Sequence, residues 1–218
     1  MKRTKRLLVE KVPPHRHNRI VLNWTTPVGA HPAGNLHLYA EAFHRAGRLL
    51  GENYGKTGAL ADFEALPILY LYRHALELSF KAIVVHGEPL FRLRGNSGLR
   101  SDTKKMSGHR LSDFVEDFER IVEELSWDWD MEIDGLRSRQ QFIELVAELD
   151  QIDPQSTAFR YPSDKKGRAA LDTNFSFDLS IFCRRMDNLF AVLNGTVYAL
   201  REQYSVETQL SNEGHSAW

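Results

Sequence analysis

The chain has 218 residues, 42% of them apolar and 26% charged, with a formal net charge of −1 and one cysteine, Cys183. These are the proportions of an ordinary globular protein with enough chain to bury a core in one domain. They exclude an internal disulfide, and no apolar run is long enough to span a bilayer; the expectation is a cytoplasmic protein of a reducing compartment.

Residues 1–33 hold Pro13, Pro14, Pro27, Gly29 and Pro32, and seven Lys/Arg between Lys2 and Arg19 against Glu10 alone. They read as a basic, extended arm with one short β-like run, RIVLNW at 19–24, and with too few apolar residues for a secretory signal. Helical periodicity takes over in a domain spanning 34–206. A first helix is expected from Asn35 to Leu50, packing through Leu36, Tyr39, Ala40, Phe43, Ala46 and Leu50. A second runs from Asp62 to His86 and is stopped by Gly87 and Pro89, with Pro67 tolerated near its start. The loop from Arg92 to Arg110 carries six Lys/Arg against Asp102, and the stretch from Asp113 to Asp134 inverts the sign with ten acids against Arg120. A third helix follows His109 with the stripe Leu111, Phe114, Val115, Phe118, Ile121, Val122 and Leu125. A fourth covers Leu136 to Leu149 and ends before Asp153-Pro154. The fifth runs from Ser176 to Tyr204, with Leu179, Phe182, Met186, Leu189, Leu193, Val197, Leu200 and Tyr204 on its packing side and Cys183 beside them as a small core residue. A frayed tail, 207–218, closes the chain. Five helices without strand signal give an all-α bundle.

The second helix raises a question of charge. YLYRHALELSFKAI at 70–83 is apolar over most of its circumference, yet Arg73, His74, Glu77 and Lys81 share a stripe spanning about 100° of arc. Two placements fit this spacing: a solvated face of i,i+4 pairs, or an interior network whose charges must all be paired. A second row, His37, Glu41, His44 and Arg48, falls within about 60° of arc on the first helix. Two histidines and a glutamate are credible ligands for zinc or another divalent ion, but the row lies opposite the apolar side, so the expectation is a solvated polar face and no metal. His15 and His17 in the arm are a weaker pair still. The sequence has no phosphate-loop or Rossmann glycine pattern, and no cofactor is expected.

PILYLYRHALELSFKAIVVHG at 67–87, GHRLSDFVEDF at 108–118 and FRYPSDKKG at 159–167 follow one another in the order found in the HEPN superfamily, which the chain resembles over about 62–200. The resemblance implies a small HEPN-like helical domain from a bacterial defence or toxin–antitoxin setting, acting as a homodimer or as a subunit beside an effector, with RNA, a nucleotide or a protein as ligand. Many members are metal-independent ribonucleases whose signature is an Arg, four to six residues, then a His on a late helix. That spacing occurs nowhere here. After Arg184 and Arg185 the next histidine is His215, so the family's nuclease residues are not carried over and the expectation is a binding domain. Two rivals remain. In one, His74, His109, Arg160 and Asp164 converge and do acid–base chemistry on RNA or a nucleotide. In the other, the acidic helix and the basic loop serve assembly into an oligomer. Arg73, Glu77, Lys81 and Tyr161 complete the expected network or groove.

Overall fold

The computed structural model describes residues 32–54, 56, 61–96, 99, 106–129, 136–164, 166–171 and 176–215. The arm through His31, with RIVLNW, His15 and His17, lies outside the described residues, as do Arg100, Lys104 and Lys105 of the basic loop. The helices are α1 (Leu36–Asn53), α2 (Ala61–Leu93), α3 (Val115–Glu124), α4 (Arg139–Ile152) and α5 (Leu179–His215), with short 3-10 turns at Pro32–Asn35 and Ser112–Phe114. Among the described residues the only β feature is an isolated bridge between Ser163 and Ala169. The architecture is all-α.

α2 is the central rod. Tyr72, Leu76, Phe80, Ile83 and Leu90 are all buried, and they meet Phe114, Phe118 and Ile121 around α3, Phe142 and Val146 of α4, and Met186, Leu189, Leu193 and Val197 of α5. Each large apolar side chain buried in this way contributes about 1.5–3 kcal/mol. The rings of Phe80, Phe114, Phe118 and Phe142 form one cluster, with Phe118 and Phe142 stacked at 4.8 Å between centroids. α4 begins at an N-cap: the Ser138 hydroxyl accepts from the Gln141 amide, and the Gln141 side chain reaches back to accept from the Arg137 amide just before the cap. α5 begins where Asp178 accepts from the amides of Ser180 and Ile181.

Three expectations need correction. α2 does not stop at His86 but continues through Gly87 and Pro89 to Leu93. A Cβ at position 87 would lie 2.8 Å from Leu99 Cδ1 and 2.9 Å from Ile121 Cδ1, so Gly87 serves close packing and not termination. Leu90 and Phe91, both buried, draw the helix onward. The true stop is Gly95 at φ +74°, whose amide donates to the Arg92 carbonyl while the Asn96 amide donates to the Phe91 carbonyl. α5 likewise runs beyond Tyr204 to His215. Arg94, just past α2, holds this extension by donating to Glu207 and to the Glu124 side chain and carbonyl.

The third correction concerns α1, which is rotated from the expected face. Ala40 is buried and Leu36 and Phe43 pack against the core as expected, but Tyr39 and Leu50 are about half exposed, and His37 and Gly47 are buried instead. Gly47 sets this rotation by letting α2 approach, since a Cβ there would sit 3.2 Å from the Tyr72 ring.

Candidate functional site

Arg73 is fully buried. Its Nε donates to the Asp153 carbonyl at 2.8 Å and its Nη2 to the His109 carbonyl at 2.6 Å. Nη1 lies 3.4 Å from Glu77 Oε2, Nη2 3.4 Å from Asp150 Oδ1, and Nε 3.8 Å from Asp153 Oδ2. A guanidinium without water is tolerable only when its donors are engaged in this way. Asp150 accepts in addition from the Leu111 amide (2.9 Å), the Ser112 amide (2.7 Å) and the Ser112 hydroxyl (2.5 Å), which ties the end of α4 to the turn that opens α3. Asp153 Oδ1 accepts from the amides of Thr157 and Ala158, shaping the turn in which Ser156 takes the left-handed φ of +54°. The charged stripe of α2 is therefore an interior seam. It clamps two later segments against the central rod.

At the outer end of the seam, Lys81 Nζ donates to Glu77 Oε1 at 2.7 Å, and His109 Nδ1 lies 3.0 Å from the same oxygen. Burial works to raise the Glu77 pKa, but hydrogen bonds and charge from Lys81 and His109 outweigh it, and the carboxyl is held below the usual range. An ionised carboxylate only accepts, so the neutral His109 ring carries its proton on Nδ1. Its Nε2 keeps a lone pair, on a side chain 47% exposed.

No protein-family model, curated protein or solved structure matches this chain.

Arg160 stands at the surface nearby. Its Nε donates to the Ser156 carbonyl, and its guanidinium carbon lies 5.1 Å from the Tyr70 ring centroid and 5.5 Å from that of Tyr161. His74 stacks on Tyr70 at 5.5 Å and meets Phe43 edge-on at 4.5 Å. Burial lowers its pKa; Glu77 opposes that, while Lys81, Arg160 and Arg73 push it further down. The imidazole is thus neutral near pH 7 and lies within electrostatic reach of both the seam and Arg160. Tyr70, His74, Arg160 and Tyr161 form an aromatic and cationic ledge beside the Lys81–Glu77–His109 end of the seam.

Asp164 does not join it. Its carboxylate accepts from the amides of Lys166 and Arg168 and from the Arg168 side chain, closing a tight turn that contains Gly167 at φ +77°. The row on α1 is not a solvated face either. His37 Nε2 lies 3.0 Å from Arg201 Nη1, Glu41 accepts from the Tyr198 hydroxyl at 2.7 Å and from Asn194, and His44 Nε2 bonds Asp187 at 2.7 Å while stacking on Phe190. Each residue has its own partner on α5; only Arg48 stays exposed, beside Glu52. Among the described residues no group of three or more His, Cys, Asp or Glu is placed to hold a metal ion. Cys183 is half-buried, and burial raises its thiol pKa.

The sequence reading missed Asp150, Asp153 and Ser112. A signal existed for the first two. Carboxylates in and just after the last turn of a helix oppose the negative end of its dipole, so two of them there call for a cation from elsewhere, and Arg73 is that cation.

Proposed function

We propose that this chain is a HEPN-like binding domain that recognises RNA or a nucleotide through the ledge formed by Tyr70, His74, Arg160 and Tyr161 together with His109 of the seam, as a homodimer or beside an effector in a bacterial defence or toxin–antitoxin setting. The observation that carries this reading is the Arg160 guanidinium held over Tyr70 and Tyr161, within electrostatic reach of His74, which also senses Glu77 of the seam. A guanidinium provides a fork for phosphate oxygens, and exposed aromatic faces provide platforms for bases. The seam beneath supplies rigidity, because the turn that carries Arg160 is built on Asp153 and Asp153 is fixed by Arg73.

Fluorescence anisotropy of a labelled short single-stranded RNA tests it. Affinity falls steeply as salt rises, Tyr161→Ala weakens binding by about tenfold, since a stacked base is worth about 1–3 kcal/mol, and Arg160→Ala lowers both affinity and salt dependence. Binding that is indifferent to both substitutions overturns the reading.

A further inference from the structure

The seam has an imbalance of charge. Two basic side chains, Arg73 and Lys81, face three acidic ones, Glu77, Asp150 and Asp153. Asp150 and one oxygen of Asp153 are further supported by amides and a hydroxyl, but Glu77 depends on side chains alone: Arg73 on one oxygen, Lys81 and His109 on the other. Lys81 has only a tenth of its side chain exposed and is committed to Glu77. The remaining group that can add positive charge at this end is His109, whose Nδ1 already lies 3.0 Å from the carboxylate and whose side chain is about half exposed.

We propose that His109 is a proton-linked phosphate receptor: a phosphate group binds at Nε2, and the imidazole takes up a proton as it does so. This rests on the RNA or nucleotide reading and adds a rule to it, namely that affinity is set by pH through one residue. When the ring is neutral with its proton on Nδ1, Nε2 offers a lone pair, which repels a phosphate oxygen. Protonation turns Nε2 into a charged donor, while Nδ1 keeps its bond to Glu77; the carboxylate below and the phosphate outside then both stabilise the imidazolium. Glu77 is the positioning residue and His109 the one that touches the ligand. The other charged or titratable groups around them are Arg73, His74 and Lys81 of α2, Asp150 and Asp153 at the end of α4, Arg160 after it, and Arg110 next along the chain. His74 does not substitute for His109, because its ring lies between Tyr70 and Phe43 and burial keeps it neutral.

Titration calorimetry of the whole chain with a 5′-nucleoside monophosphate, and separately with a short single-stranded RNA, in buffers of different ionisation enthalpy, counts the protons taken up. The expected result is net proton uptake on binding, at most one proton per ligand, with affinity falling as pH rises by up to about tenfold per pH unit, the limit for a single linked proton. Uptake with the nucleotide identifies a terminal phosphate as the ligand group, and uptake with RNA alone identifies the backbone. His109→Gln, at an exposed position, leaves the fold intact and abolishes the uptake. Glu77→Gln, checked for folding by its melting curve, weakens the uptake while leaving His109 in place. Binding without proton uptake, or uptake that persists in His109→Gln, overturns this proposal and leaves the binding reading standing. Absence of binding by both probes at every pH overturns the two together.

Discussion

Replacing Arg73 by methionine isolates the seam, because methionine approximates the aliphatic stem and removes only the guanidinium. The substitution strips Glu77 of one partner, Asp150 and Asp153 of their buried cation, and the carbonyls of His109 and Asp153 of their donor. Removing one side of a buried charge cluster costs about 3–5 kcal/mol, and for a domain of this size each kcal/mol moves the melting temperature by about 2–4 °C. The expected loss is therefore about 4 kcal/mol, a fall of roughly 8–16 °C. Urea denaturation followed by far-ultraviolet circular dichroism gives the free energy, and a thermal scan gives the shift. Arg73→Lys falls between wild type and Arg73→Met, since an ammonium keeps the charge but cannot reach two carbonyls with a planar fork. An Arg73→Met protein that melts within about 2 °C of wild type would refute a structural role for the seam, because a cluster so cheaply broken holds nothing together.

Other expected outcomes follow from the same packing. Gly87→Ala and Gly195→Ala act in opposite directions: the first forces a Cβ to within 2.8 Å of Leu99 and destabilises by about 1–3 kcal/mol, and the second meets nothing within 4 Å and stabilises by about 0.5–1 kcal/mol, both read from urea midpoints. Asp187→Ala removes the shared acceptor of His44 and Tyr72 and lowers stability by about 2 kcal/mol, so an unchanged urea midpoint would count against α1 being pinned to α5 by polar contacts. Burial lowers the pKa values of His37, His44, His74 and His86, the last to about 4, against 6.5 in the open chain. The unfolded chain then binds more protons than the folded one, so stability is full above pH 6.5 and declines as pH falls toward about 4. The decline is shallower in His86→Gln, and equal slopes in the two proteins would remove His86 from the explanation.

The sequence made α2, α3 and α5 legible because their buried residues recur at helical spacing and are strongly apolar; Leu111, Phe114, Phe118 and Ile121 are all in the core. The charged stripe of α2 was visible for the same reason, although helical spacing alone left its direction open. α1 misled because its hydropathy points one way and its packing another. His37, Glu41 and His44 turn inward to partners on α5, more than 140 positions along the chain, and no local pattern announces such pairs. The end of α2 was read too early because glycine and proline usually break helices; here Gly87 is demanded by contact with Leu99 and Ile121. Asp153-Pro154 was taken only as a stop, whereas Asp153 also carries the turn that presents Arg160. Asp164, adjacent in sequence to the Arg-Tyr-Pro motif, found a nearer partner in Arg168, and this short-range pairing competes with any longer reach.

The proposed phosphate receptor depends on the orientation of one imidazole, that of the half-exposed His109 held through Nδ1 by the buried Glu77 carboxylate. Long-range proton–nitrogen correlation NMR on the intact chain reads this directly. At a pH high enough to leave the ring neutral, the predicted spectrum shows the proton on Nδ1 and a bare Nε2, and Glu77→Gln shifts that balance. A proton on Nε2, or a mixture of tautomers that does not respond to Glu77→Gln, would contradict it.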